Sequence, residues 1–148
     1  MAIMIREYRI AIDFDNVVHS YTSPWSHAAD IADPPLRGAI AWLERLTSEG
    51  ARVFLHTCRF TQDHPQAAGF LAADPATVEL AVRTWLQVHG LSDAAAARIT
   101  MWTHPGKPYA DAYVDDKAVE FTGQWHTVAT LKNIVAANKE RRIHALGA

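Results

Sequence analysis

Two aspartates one residue apart, Asp13 and Asp15, directly follow a short apolar run, Tyr8-Arg9-Ile10-Ala11-Ile12. A carboxylate placed there can attack a phosphorus centre and form an aspartyl-phosphate, splitting one difficult hydrolysis into two easier steps. A second carboxylate two residues on can protonate the departing oxygen and later take a proton from water. Alone, such a pair reads more readily as solvated or structural carboxylates. A second acidic pair, Asp115-Asp116, also closes an apolar segment, Ala112-Tyr113-Val114. Four carboxylates gathered at one place repel one another unless a cation sits among them. Magnesium fits, as a hard ion held by a few carboxylates, water and a substrate phosphate. It would neutralise charge as a phosphoryl group moves. Thr57 offers a hydroxyl and Lys107 a compact positive charge, both suited to phosphate oxygens. Backbone N–H groups beside these residues, at Phe14 and Cys58, extend the phosphate-binding set.

The elements that must position these groups alternate in type. Residues 8–12 predict a buried strand that delivers Asp13 at its end. Residues 16–35 lack helical period and carry Ser20, Ser23, Pro24, Pro34 and Pro35, which predicts an irregular flap. A helix is expected over 36–49, with Gly50 at its C-terminal cap. A second strand over 52–56 ends at Thr57. Residues 60–74 read as a loop insertion, and Pro75 opens a helix to His89, closed by Gly90. Ser92 caps a short alanine-rich helix, and a third strand covers 99–102. After a tight loop at His104-Pro105-Gly106-Lys107-Pro108, a fourth strand covers 112–114, and a last helix runs over about 125–142.

Strands alternating with helices imply an α/β domain spanning residues 1–148, with a mainly parallel sheet and helices on both faces. Ligands of such sheets bind beyond the carboxyl ends of the strands. The polar clusters follow predicted strand ends, with Lys107 in the loop between two strands, so they are expected to converge on one edge.

The bulk numbers narrow the class further. The 14 Lys and Arg residues nearly balance 16 Asp and Glu residues, so no global charge pulls the chain toward nucleic acid or acidic membranes. No apolar run approaches the roughly 20 residues a membrane span needs. The N-terminal residues have no signal-peptide core, and the single cysteine, Cys58, excludes an internal disulfide. Both observations predict a cytoplasmic protein. Cys58-Arg59 does not begin a cysteine-phosphatase loop, because position 64 is His. The histidines lack zinc spacing. Gly106-Lys107 has neither the upstream glycine nor the following Ser or Thr of a P-loop.

The ordered series Asp13-Phe14-Asp15-Asn16-Val17-Val18, Phe54-Leu55-His56-Thr57, Lys107 and Tyr113-Val114-Asp115-Asp116 resembles the haloacid dehalogenase-like hydrolase superfamily, over roughly residues 8 to 120. The resemblance implies a three-layer Rossmann-like fold, with Asp13 as the nucleophile and Asp15 as the general acid/base. It also implies that magnesium binds Asp13, the Asp15 backbone carbonyl and Asp115, with Asp116 nearby. Thr57 and Lys107 would grip the phosphoryl group. A second Asp at position 15 points to phosphatases and phosphotransferases over dehalogenases.

Asn16 departs from the glycine many relatives have. Asparagine tolerates left-handed backbone angles, so the turn can survive, and its amide is a candidate substrate contact. Arg59, close after Thr57, is a candidate for the leaving group or a second phosphate. The flap is too short for an independent cap domain. An open site suits a phosphate on a large or extended molecule such as nucleic acid, protein or glycan, or a site covered by a partner subunit. Phosphotransfer to another acceptor uses the same apparatus, and a receiver-like or non-catalytic phosphate-binding module is the reading from another class.

Overall fold

The computed structural model describes residues 7–60 and 73–147, with side chains through Arg141. The 60–74 insertion lies mostly outside the described residues. Strand β1 (Tyr8–Asp13), helix α1 (Ala39–Ser48), β2 (Ala51–His56), a short 3-10 turn (Cys58–Phe60), α2 (Pro75–Val88), α3 (Asp93–Ala96), β3 (Ile99–Met101), β4 (Ala112–Val114) and α4 (Val128–Gly147) follow in order. The four strands form one sheet in the order β3-β2-β1-β4. Every pairing is parallel, with Asp13 beside His56 and Ile12 beside Val114. This is a Rossmann-like α/β arrangement.

The helix limits have local causes. The apolar spacing predicts a start for α1 near Leu36, but Gly38 takes φ +85° and the helix begins only at Ala39. That left-handed conformation is cheap for glycine and incompatible with a right-handed turn. At α2, Pro75 occupies the first turn and the Asp74 side chain accepts the Thr77 N–H, as a capping residue should. Helix α4 begins at Val128 instead of Trp125 because the Thr127 hydroxyl accepts the Thr130 N–H.

The pleat sends alternate residues to opposite faces. Ile12, Val53, Leu55, Ile99 and Met101 join Leu43 of α1, Val78, Val82, Trp85 and Leu86 of α2, and Ala95 of α3 in one buried cluster. Helices α1 to α3 therefore cover one face. Contacts on the other face come from the β3–β4 connection. The Arg9 guanidinium lies 4.2 Å from the Phe54 ring centre, its Nε donates to the Tyr109 carbonyl, and Trp102 meets Phe54 edge-on. No described side chain of helix α4 joins the core cluster, and Val128, Leu131 and Val135 on it are exposed. Helices packed on both faces were expected; the core cluster shows them on one. The sequence between β3 and β4, with Pro105, Gly106 and Pro108, cannot form a helix there. Among the described residues, no helix is long and apolar enough to cross a membrane.

Leu55 is fully buried and Leu80 is 68% exposed. Leu55→Ala should cost about 2–5 kcal/mol of unfolding free energy, and Leu80→Ala about 0.5 kcal/mol or less. Urea titration of both variants checks the assignment of the core face.

Candidate metal and phosphate site

Parallel pairing brings the ends of β1, β2 and β4 to one edge of the sheet. There Asp13, Asp115 and Asp116 each offer a carboxylate oxygen, all within 4.8 Å of one another. Burial, the Asp115 charge and a hydrogen bond with Asp116 push the Asp13 pKa from 3.8 up to about 8. Three carboxylates this close cannot all ionise without a compensating cation. Asp116 Oδ1 is buried with no hydrogen-bond partner, and Asp115 Oδ1 accepts the Lys117 N–H at 2.7 Å. An all-oxygen donor set with an unmatched buried oxygen fits magnesium.

Asp15 stands apart from this cluster, in a different electrostatic setting. Arg59, itself 2% exposed, grips both of its oxygens: Nε donates to Oδ2 at 2.9 Å and Nη2 to Oδ1 at 3.0 Å. His19 Nδ1 is 2.8 Å from the same Oδ1. Because His19 Nε2 accepts the Asp33 N–H at 3.1 Å, the proton of a neutral ring sits on Nδ1 and is donated to Asp15. Burial alone would raise the Asp15 pKa, but the hydrogen bonds from His19 and Arg59 and the Arg59 charge outweigh it, and the net shift is downward.

Arg59 also organises the flap. Its Nη1 donates to the carbonyls of Ala28 and Asp30, both at 3.0 Å, and its guanidinium lies 4.6 Å from the Trp25 ring centre. The Arg59 side chain, expected as a contact of the leaving group or a second phosphate, is enclosed by the flap here, with its donors turned to Asp15 and backbone. Asn16 adopts φ +65°, which supports the backbone explanation for its presence. Phe14 is fully buried, its ring stacked on His19, and its N–H donates to Asp13 Oδ1 at 2.8 Å. That amide is turned to the nucleophile candidate and not to open space.

Thr57, Cys58, Lys107 and Asp115 share a cleft of about 940 Å³ beside the carboxylates. Thr57 Oγ1 accepts the Arg59 N–H at 3.2 Å and starts the 3-10 turn. Lys107 is exposed, and its Nζ lies 4.0 Å from the centre of the Tyr113 ring; among the described residues no ion pair joins it to the carboxylates. Cys58 is exposed as a residue, yet desolvation of its sulfur and the charges of Asp15 and Asp13 push its pKa up. It is a neutral thiol, unsuited to nucleophilic attack.

His56 is a residue that sequence reasoning took as structural. It lines the same cleft, and its Nε2 is buried without a hydrogen-bond partner. Burial lowers its pKa against the opposing charge of Asp115, so it is neutral at pH 7. Its place at the last position of β2 was the available signal.

No family model, curated protein or solved structure matches this chain.

Removing Arg59 leaves Asp15 buried without its charged partner, so Arg59→Met should destabilise by about 3–5 kcal/mol. The loss should be much smaller in an Asp15→Asn background, as a double-mutant cycle by urea titration will show. A second expectation concerns pH. Without metal, folded Asp13 keeps its proton up to about pH 8, whereas the unfolded chain releases it near 3.8. The folded state binds more protons in between, so this residue's contribution makes stability fall as pH rises from about 4 to about 8. The depressed pKa values of Asp15 and Asp33 act oppositely, their contribution being lost only below about pH 4. Thermal melts of metal-free protein should show the fall, and Asp13→Asn should flatten it.

Proposed function

We propose that this protein is a magnesium-dependent phosphatase of the haloacid dehalogenase-like kind, with Asp13 as nucleophile. The observation that carries the reading is the convergence of Asp13, Asp115 and Asp116 within 4.8 Å beside a cleft holding Thr57 and Lys107. A metal cluster and a phosphate-binding wall on one sheet edge match the needs of phosphoryl transfer, where positioning and charge neutralisation dominate. Asp13, Asp115 and Asp116 would hold magnesium. When bound, the ion supplies positive charge that keeps Asp13 ionised and offsets the charge of the phosphate.

The chain's own groups do the rest. The Asp13 carboxylate attacks phosphorus, the ester oxygen leaves, and a water then cleaves the aspartyl-phosphate to regenerate Asp13. Thr57 and Lys107 hold the phosphate oxygens, with Lys107 leaving its place over the Tyr113 ring to do so. Asp15 is the acid/base. Arg59 and His19 hold it as a carboxylate, the form that takes a proton from the attacking water. Giving a proton to an alkoxide leaving group requires the protonated form, which the Arg59 pair opposes. An aryl phosphate, whose leaving group departs without a proton, therefore isolates the nucleophilic step.

Release of p-nitrophenol from its phosphate should depend on magnesium, stop with a chelator, and drop by about three orders of magnitude or more in Asp13→Asn. A folded, magnesium-loaded protein that turns over neither this ester nor any nucleotide or sugar phosphate would overturn the phosphatase reading.

A further inference from the structure

The cleft beside the carboxylates has a second character that phosphate chemistry leaves unused. Its walls include Phe60, Trp102, His104 and Tyr113. None of the four is fully buried, and Tyr113 is 38% exposed, in contrast to the core aromatics Phe14 and Trp85. Partly uncovered rings lining a polar cleft are characteristic of surfaces that bind something flat and apolar. The Trp102 indole N–H already donates to the Gly106 carbonyl at 2.8 Å, which fixes the ring and satisfies its only polar atom. His104 leans on it, ring centres 5.1 Å apart at 66°. Phe54 supports it from the sheet, ring centres 6.1 Å apart. Trp102 is thus a braced platform on the wall shared with Thr57, Lys107 and Asp115.

Size and charge narrow the ligand. A volume of about 940 Å³ is at the upper end for small-molecule sites, more than a sugar phosphate fills. Nucleic acid binders neutralise many phosphates with Lys and Arg. Here Lys107 is the sole Lys or Arg among the described residues lining the cleft, and the chain's net charge is −2.

We propose that the cleft takes a free nucleoside phosphate, its base lying against Trp102 and His104 and its phosphate at the Thr57, Lys107 and Asp115 edge. This assignment rests on the phosphatase reading of the same edge. The matched pair of AMP and ribose 5-phosphate isolates the base, because both carry the phosphate on the 5-carbon of a ribose and differ at its first carbon.

Affinities of both compounds, measured calorimetrically on Asp13→Asn with magnesium, test binding without turnover. AMP should bind about 10-fold tighter than ribose 5-phosphate, in line with base stacking on one aromatic residue. Adding Trp102→Ala should remove that advantage, whereas adding Trp102→Phe, which keeps a ring, should retain most of it. Thermal melts confirm that each variant is folded. Equal affinities for the pair, or a loss in Trp102→Ala shared equally by both compounds, would overturn the assignment. A 5′-phosphorylated oligonucleotide bound 10-fold tighter than AMP would also overturn it, in favour of a nucleic-acid end. Failure of the phosphatase reading shows separately, as folded, magnesium-loaded wild-type protein that turns over neither p-nitrophenyl phosphate nor any nucleotide or sugar phosphate.

Discussion

One guanidinium joins three parts of the molecule that would otherwise be independent. Arg59 comes from the turn after β2, its carboxylate partner Asp15 from the loop after β1, and its carbonyl partners Ala28 and Asp30 from the flap. A planar fork with several donors can meet a carboxylate and backbone oxygens together, which a lysine ammonium cannot do with the same geometry. Buried charge of this kind is tolerable only when its polar neighbours are satisfied, and here they are. The flap, which has no strand or helix of its own beyond isolated bridges, takes its position from that pair and from the His19–Asp33 contact.

The consequence is a division among the acidic residues. Asp15 has its charge matched by Arg59, whereas among the described residues no ion pair joins Asp13, Asp115 or Asp116 to a cation. Burial acts on both Asp13 and Asp15, yet their pKa values move in opposite directions. Titratable groups whose environments drive them apart are the arrangement that acid, base and nucleophile assignments need. The site is built by parallel strands ending together, and differentiated by which carboxylate a neighbouring cation reaches.

Much of this was legible from residue order. Asp13, Thr57 and Asp115 each follow an apolar run that stops abruptly, and parallel pairing then sets their common edge without further information. The limits of α2 and α3 were equally readable, because Pro75 and Ser92 act through bonds within a few residues. What escaped depends on distant partners. Arg59 lies 44 positions from Asp15, and nothing local distinguishes an arginine that will be enclosed by a flap from one that will face a ligand. Lys107 lies over Tyr113 only because the loop between them folds back, and His56 differs from a core histidine only by what the neighbouring strand ends leave open. The start of α1 was misjudged because Gly38 breaks a pattern that the apolar spacing continues.

The central position of β1 has a consequence for how the chain is made. Its β4 partner is encoded far downstream: Arg9 bonds to Asp111 across 102 positions. A nascent chain that has delivered β1 and β2 to the solvent still presents one open edge of β1, a template for pairing with other chains. Such long-range closure is slow, since loop entropy must be overcome before the contact forms. Asp13 likewise lacks the other carboxylates of its cluster until Asp115 and Asp116 arrive. The carboxylate cluster is therefore the last part of the sheet to exist, and any fragment ending before β4 folds, if at all, without it.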